Sequence, residues 1–312
     1  YSKPAYRGID PTALFSFFYA MFFGIMLSDA GYGIVIAAAC FIVLKKYDLE
    51  GMTRRMIKMF FYCGLSTVFW GALFGGWFGD FIQVAARVMF NKEITVPALW
   101  FNPIDDPTRL LIWSLVFGVI HLFLGMGIKA YMLIKRGHFW DAVFDVFSWY
   151  MVIAGAAMWL AGGAVSEALV KPGMYIAIAG ALILLLTGGR NNKGIGKITG
   201  GLSALYDITS YVSDILSYSR LLALGLATGV IAQVVNQMGS MFGTSIFGVI
   251  GFIVVFIIGH TLNLAINLLG AYVHTNRLQY VEFFGKFYEG TGRPFNPFKE
   301  HTKYADIKEE TR

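Results

Sequence analysis

The chain has 312 residues, of which 57% are hydrophobic and 14% are charged, and its formal net charge at pH 7 is +6. Soluble domains carry about 25% charged residues, so this composition excludes an ordinary soluble domain and indicates a polytopic membrane protein. The Lys and Arg residues cluster in short loops and at the C-terminus, which favours a role in membrane orientation over nucleic-acid binding.

Seven apolar blocks predict an all-α membrane fold, because a helix needs about 20 apolar residues to span a bilayer. The first block is interrupted at residues 28–33, so it is either one tilted helix or two shorter ones. The last two blocks are too long for upright helices, which predicts tilt or bending. The blocks cover residues 13–44, 57–90, 109–134, 140–163, 173–188, 203–237 and 246–288.

Loop charges predict the orientation of these blocks. Basic residues are frequent in the loop 45–58 and after the third, fifth and seventh blocks, while the alternate loops hold few. The positive-inside rule therefore predicts a cytoplasmic C-terminus. Seven crossings would place Tyr1 outside, whereas a first block that doubles back at residues 29–31 would place both ends in the cytoplasm, and the sequence leaves both possibilities open.

Arg220 lies near the middle of the stretch 210–236, which is otherwise apolar enough for a bilayer. An arginine at this depth is costly, so it is a functional-site candidate. At 100° per residue, Ser213 and Ser217 fall within about 60° of Arg220, and the residues beyond it on this face are small or apolar. The pattern predicts a hydrated approach from one side that ends at a cation.

A second polar stripe lies along one face of the last apolar block. Its members are three or four residues apart and fall within a sector of about 100° around the helix axis. Such a stripe either forms interhelical hydrogen bonds or lines a water-filled ion path. Its length and its nearness in sequence to the Arg220 helix favour the path. The members are His260, Asn263, Asn267, Gly270, His274 and Arg277.

We expect no carboxylate of this chain to pair with Arg220 in the membrane. Asp214 lies about 120° away on the helix, and Asp29 is predicted to cap a helix break. The anion is therefore expected on another subunit, where a moving carboxylate would release its ion on meeting the arginine. His121 is predicted to be a packed, hydrogen-bonding residue. No metal or cofactor site is predicted, because the two cysteines lack metal-ligand spacing.

Three stretches resemble one family: RGIDPT with FFGIMLSDAGYG at the start, SYSRLLALGLA around Arg220, and LGAYVHTNRLQYVEFFGKFYEGTGRPFNPF around Arg277. They are similar to the membrane domain of subunit a of rotary V/A-type ATPases, called subunit I in prokaryotes. The resemblance implies eight transmembrane helices, the last two tilted against a rotating ring of proteolipid c subunits, and two offset half-channels. Arg220 matches the essential arginine that faces the ring carboxylate, and Arg277 matches a second arginine.

The two polar stripes predict which residues line these half-channels: Ser213, Ser217, His260, Asn263, Asn267 and His274. Eukaryotic members have a half-channel glutamate where this chain has Asn267 and a histidine where it has Asp214, so a prokaryotic plasma membrane is expected. The transported ion, H⁺ or Na⁺, stays open. Expected partners are the c-ring, peripheral-stalk and central-stalk subunits and membrane lipid. Residues 189–194 lack the Lys-Ser/Thr end of a phosphate loop, so we expect no ATP hydrolysis by this chain itself.

The chain divides into four predicted regions. Residues 1–12 form a cytoplasmic lead-in. Since the chain begins at Tyr1 without a signal-peptide layout, a preceding part is expected, and the resemblance implies that this part is a cytoplasmic domain that binds the peripheral stalks. Residues 13–202 form supporting transmembrane helices, residues 203–288 form the two tilted helices with the ion path, and residues 289–312 form a polar tail.

Two other hypotheses compete with an ion-translocating stator subunit. An independent secondary transporter or channel would use Arg220 to bind an anionic substrate, although no internal repeat supports it. A purely structural scaffold would tolerate substitution of Arg220, Asn263 and Asn267.

Overall fold

The computed structural model describes residues 3–5, 8–90, 92–190, 196–243, 245–292 and 298. All regular elements within these ranges are helical, which confirms the all-α prediction. The α-helices are α1 (Thr12–Leu27), α2 (Ala30–Lys46), α3 (Gly51–Phe74), α4 (Phe81–Phe90), α5 (Pro107–Lys135), α6 (Phe139–Ala142), α7 (Ser148–Val165), α8 (Val170–Thr187), α9 (Gly196–Ser217), α10 (Ser219–Ser240) and α11 (Ile246–Arg277).

Short helical turns complete the fold. A π-helical turn, Val143–Phe147, joins α6 to α7, and a 3₁₀ turn, Glu167–Leu169, precedes α8. A second π-helical turn, Leu278–Phe283, follows α11 and is followed by a 3₁₀ turn, Phe284–Lys286. The predicted polar tail falls largely on residues 293–297 and 299–312, which lie outside the described residues.

The first apolar block forms two helices. Ser28, with a φ of 40°, separates α1 from α2. Asp29 is the N-cap of α2, and its carboxylate accepts a hydrogen bond of 3.1 Å from the Tyr32 amide. A carboxylate at this position satisfies an amide that has no partner within the helix. The predicted capping role of Asp29 is confirmed.

The two halves of the first block run in opposite directions along α3. Gly24 lies against Trp70 and Ser28 against Gly76, so α1 is parallel to α3. The order is reversed for α2, in which Ala30 lies against Gly71 and Ala37 against Gly64. The chain therefore doubles back at Asp29, and small residues allow the close approach of α2 to α3.

The described ends of the chain lie on the same side of the helical bundle. The Gly292 amide donates to the Lys3 carbonyl at 3.1 Å, and the Ala5 amide donates to the Glu289 carbonyl at 3.1 Å. Ends on one side require an even number of crossings, which excludes seven single crossings. The count of eight stays a prediction, because α1 and α2 have only 16 and 17 residues, fewer than the roughly 20 that span a bilayer.

Among the residues that the structure describes, six helical stretches are long and apolar enough to cross a membrane. The last two, Tyr206–Ser240 and Ile246–Lys286, have 35 and 41 residues, so the prediction of two long final stretches is confirmed. Their tilt stays a prediction. The core lies where α1, α3, α5, α10 and α11 meet, around side chains such as Phe22, Leu27 and Leu221 that are fully buried.

Candidate functional site

The candidate site begins at a helix break directly before Arg220. Tyr218 separates α9 from α10, and its side chain is fully buried. Its hydroxyl lies 2.8 Å from Nδ1 of His121 on α5, and the His121 ring stacks on Phe283 with centroids 4.2 Å apart. The prediction that His121 is a packed, hydrogen-bonding residue is confirmed. His121 thereby contacts both Tyr218, at the break between α9 and α10, and Phe283, in the π-helical turn after α11.

Arg220 has a carboxylate partner within this chain. Its guanidinium donates to Oε1 of Glu282 at 3.3 Å and to the Ser217 carbonyl at 3.4 Å. The Glu282 side chain is 1% exposed, while that of Arg220 is 25% exposed. The expectation that no carboxylate of the chain pairs with Arg220 was therefore wrong. A buried carboxylate beside the arginine lowers the cost of placing that cation in an apolar environment.

Helical periodicity in the sequence does not place Glu282 near the polar stripe of α11. At 100° per residue, Glu282 would lie about 140° from Arg277 and outside the polar stripe. The residues Leu278–Phe283 form a π-helical turn, whose hydrogen bonds span five residues and change the direction of later side chains. The available signal was a lone carboxylate inside the last apolar block, which is costly there and marks a functional candidate.

A second ion pair lies beside the first. Lys286 donates to the Asp214 carboxylate, and its ammonium lies 3.8 Å from the centroid of the Tyr211 ring. The two charged side chains are 13% and 18% exposed. This pair fastens α9 to the segment after α11, and it agrees with the prediction that Asp214 is not the partner of Arg220.

Three predicted lining residues form a buried hydrogen-bond network. Tyr32 on α2 has its hydroxyl 2.6 Å from Nδ1 of His260, and the Asn263 amide donates to that hydroxyl at 2.8 Å. The Nε2 atom of His260 lies 3.0 Å from Oδ1 of Asn236, and the Asn267 amide donates to the Asn263 carbonyl at 2.9 Å. This half of the stripe joins α2, α10 and α11 by interhelical hydrogen bonds, one of the two possibilities stated above.

The network continues into the loop between α3 and α4. The Asn236 amide donates to Oδ1 of Asp80 at 2.9 Å and to the Phe78 carbonyl at 2.8 Å. The Asp29 carboxylate accepts from the Phe78 and Gly79 amides at 3.0 and 2.7 Å. Phe78 has a φ of 51°, a strained conformation for a non-glycine residue that these contacts hold in place. Tyr32, Asn236 and Asp80 were not predicted, because their contacts bridge distant parts of the chain.

A polar cavity of about 340 Å³ adjoins this network. Its walls include Ser28, Asp29, Asp80, Gly225 and Gln233. The Ser28 hydroxyl donates to the Gly225 carbonyl at 3.2 Å. Gly225 and Arg220 are both on α10, so one wall of the cavity belongs to the helix that carries the arginine. Gly225 follows Arg220 by five residues, roughly 7.5 Å along the helix axis. The cavity therefore approaches the arginine from the side of the bundle opposite the chain ends.

The remaining predicted residues lie on the helices that carry or adjoin Arg220. The Ser217 hydroxyl donates to the Ser213 carbonyl at 3.1 Å, and Ser213 is exposed. His274 on α11 lies within electrostatic range of both Arg220 and Arg277. Arg277 is exposed at the end of α11 and forms no hydrogen bond or ion pair with the described residues. Direct contact therefore joins Arg220 to Ser217 but not to Arg277.

Several buried polar atoms near the ion pair lack a hydrogen-bond partner among the residues that the structure describes. They include Oε2 of Glu282 and a polar atom of the Gln279 side chain, which lies within interaction range of His121. Buried polar groups of this kind are usually satisfied by ordered water. The surroundings of Glu282 are thus suited to hydration.

An exposed apolar surface covers the opposite side of α11. Its side chains recur every three or four residues and are at least half exposed. The neighbouring helix α10 also has exposed residues, including Ala223 and Val230. The α11 residues are Ile258, Leu262, Ile266, Leu269 and Val273.

The sequence matches one known family and several known proteins. Residues 208–300 match the family described as the V-type ATPase 116kDa subunit family. The chain is 33% identical to the A-type ATP synthase subunit I of Methanocaldococcus jannaschii, over 98% of this chain and 47% of that protein. It is 34% identical to the A-type ATP synthase subunit I of Pyrococcus horikoshii, over 100% of this chain and 46% of that protein.

A bacterial relative matches over the same part of the chain. The V-type ATP synthase subunit I of Chlamydia trachomatis is 25% identical over 96% of this chain and 53% of that protein. The chain spans about half the length of the curated relatives it matches. Together with the six long apolar stretches found in the described part of the chain, these matches support an integral membrane protein. Residues 208–300 thus belong to the V-type ATPase 116kDa subunit family, and the chain as a whole is similar to about half of a subunit I.

Proposed function

We propose that this chain is the ion-translocating part of the stator in a rotary V/A-type ATPase. The observation that carries the proposal is Arg220, a partly exposed cation that is held by the buried Glu282 and lies beside an apolar helical surface. Such a surface suits packing against the helices of a rotating c-ring, whose carboxylate would pass the arginine. The translocated ion is H⁺ or Na⁺, and other subunits hydrolyse or synthesise ATP.

In the proposed mechanism, Arg220 makes the ring carboxylate release its ion. A nearby cation favours the ionised form of a carboxylate, so the ion leaves before the carboxylate passes. The buried Glu282 carboxylate accepts a hydrogen bond from a single nitrogen of the guanidinium. Guanidinium has five donors, so the exposed part of Arg220 retains donors for a second carboxylate.

Two access paths would meet near Arg220. The outer path is the polar cavity that reaches Gly225, one and a half helical turns beyond the arginine. The inner path would follow Ser213 and Ser217 to the buried polar atoms around Glu282, which are suited to hydration. Because Arg220 lies between the two paths, an ion crosses only by travelling on the ring.

The basic loops support the proposed orientation. α2, α5 and the last 3₁₀ turn end at Lys46, Lys135 and Lys286, all on the side of the chain ends. Positive charge marks the cytoplasmic side, so the C-terminus would be cytoplasmic in a prokaryotic plasma membrane. The part of subunit I that this chain does not span would contact stalk subunits on that side.

The test is ATP-driven ion pumping by the complete complex in liposomes. Arg220→Ala and Arg220→Lys are expected to abolish pumping while the complex still assembles. Arg109→Ala is the matched control, because Arg109 is an exposed arginine paired with Asp106 at 3.4 Å, and this variant is expected to pump normally. Normal pumping by both Arg220 variants would refute the proposal.

A second experiment separates this function from an independent transporter. A cysteine at Ala223, exposed on α10 one turn beyond Arg220, is expected to crosslink to a c-ring helix. Solute flux in liposomes that contain the full-length subunit alone, without such a crosslink in the complex, would favour the transporter.

A further inference from the structure

An apolar cleft of about 510 Å³ separates α7 from α5 and α9. The α7 helix packs along α8, and this hairpin is joined to α5 through the α6 turn and to α9 through α8. The cleft opens at the protein surface, where Ile112, Leu160 and Leu216 are 56%, 79% and 57% exposed. All three helices contribute spanning stretches, so the opening meets membrane hydrocarbon.

The cleft has the shape and chemistry of an acyl-chain site. Its walls are almost entirely aliphatic, with Ala156 and Ala157 providing space on α7. Lining residues on α7 extend from Trp149 to Leu160, roughly 16 Å at 1.5 Å per residue, or about half of a 30 Å hydrocarbon core. Without a chain in the cleft, these side chains would lose dispersion contacts on one side.

A polar cavity of about 490 Å³ meets the cleft at a stacked pair of rings. Trp149 and Tyr211 line both spaces, and their ring centroids are 4.1 Å apart. Tryptophan and tyrosine are the side chains that favour the membrane–water interface. The polar cavity also contains Lys129, six residues before the basic end of α5, which places it toward the side of the chain ends.

The polar cavity contains groups of both charges. Lys129 forms no ion pair with the described residues, while Asp145 is held by Arg190 at 2.9 Å. Asp207 provides a further carboxylate, and Ser210 provides a hydroxyl. An ammonium of lysine binds a phosphate, and a carboxylate binds an organic ammonium. This combination is complementary to a zwitterionic headgroup.

We propose that the cleft and the polar cavity together bind one zwitterionic phospholipid of the phosphatidylethanolamine type. One acyl chain lies in the cleft between α5, α7 and α9. The phosphate contacts Lys129, and the ammonium contacts Asp207. The bound lipid fills the cleft between α7 and α9, so water does not enter on the side of α9 that faces the cleft. This inference does not depend on the proposed ion translocation.

The test uses phosphatidylethanolamine with a photoreactive diazirine in one acyl chain. The intact complex is placed in nanodiscs that contain this lipid, illuminated, and digested for mass spectrometry. Adducts are expected on the cleft walls of α5, α7 and α9. Ala157→Phe fills the cleft and is expected to lower their yield about fivefold, the equivalent of about 1 kcal/mol. Lys129→Gln is expected to lower the yield by a similar factor.

The control is Leu182→Phe, which enlarges an exposed side chain on α8 outside the cleft and should leave the adducts unchanged. If Ala157→Phe does not assemble, Ala157→Leu replaces it. Adducts spread evenly over the apolar surface and insensitive to Ala157 would overturn the site. Equal labelling by phosphatidylglycerol with the same chain would overturn the ammonium contact. A disulfide between Ala157→Cys and a cysteine introduced on a ring helix or another subunit would show that a protein occupies the cleft, and it would refute the proposal.

Discussion

Glu282→Gln tests whether the carboxylate stabilises Arg220. The substitution keeps the size of the side chain and removes its charge, so it isolates the electrostatic part of the contact. Glu282 is almost completely buried, and its partner Arg220 is three-quarters buried. After the substitution, the guanidinium stays in an apolar environment without a counter-charge. The structure therefore predicts a large loss of stability.

The expected size follows from the geometry. At 3.3 Å and an effective dielectric constant of about 20, the Coulomb attraction is about 5 kcal/mol before the cost of burying both charges. Removing one partner of a buried ion pair typically destabilises a protein by about 3–5 kcal/mol. Glutamine still accepts a hydrogen bond, and Arg220 is one-quarter exposed, so the loss should be nearer about 2 kcal/mol.

The measurement is the free energy of unfolding of the full-length subunit in mixed micelles titrated with SDS. Glu289→Gln is the matched control, because Glu289 lies 4.0 Å from Arg136 and both side chains are about half exposed. Exposed pairs of this kind contribute about 0–1 kcal/mol. If the two variants unfold within about 0.5 kcal/mol of each other, the stabilising role assigned to Glu282 is wrong.

Three further substitutions test other contacts in the same assay. His121→Phe leaves the Tyr218 hydroxyl without its partner and should lower the free energy of unfolding by about 1–3 kcal/mol. Adding Tyr218→Phe should recover part of that loss. Strictly additive losses of the two substitutions would contradict the contact. Asn236→Ala removes hydrogen bonds to α11 and to the loop before α4 and should cost about 1–3 kcal/mol; an unchanged midpoint would contradict it. Gly71→Ala should prevent folding because its Cβ collides with the α2 backbone, whereas Gly285→Ala, whose Cβ meets nothing within 4 Å, should fold normally.

Much of the fold was predictable, because hydropathy and capping are local properties. Six of the seven apolar blocks contain a spanning stretch among the described residues, and Asp29 marked the break in the first block through its capping chemistry. The break at Tyr218 was not predicted, because its cause is tertiary: the Tyr218 side chain is drawn into the core beside His121. The even number of crossings likewise required contacts between Lys3 and Gly292, which no local pattern contains.

The candidate site was only half predictable, for a related reason. Arg220 was found because a buried cation is costly at any position in a spanning helix. Its partner Glu282 was missed because periodicity assumes an unbroken α-helix, and the chain changes to a π-helical turn after Arg277. His260 and Asn263 were found as a stripe, but whether a stripe faces water or another helix depends on residues far away in sequence.

The internal partner of Arg220 alters the balance of forces in the proposed mechanism. A bare arginine in an apolar environment would bind a passing carboxylate so strongly that release would be slow. Glu282 already neutralises part of that charge, and it contacts only one nitrogen of the guanidinium. The remaining donors still favour an ionised carboxylate, but the net attraction is weaker because the second anion approaches a pair rather than a free cation. A contact strong enough to release the ion and weak enough to let the ring move on requires both residues.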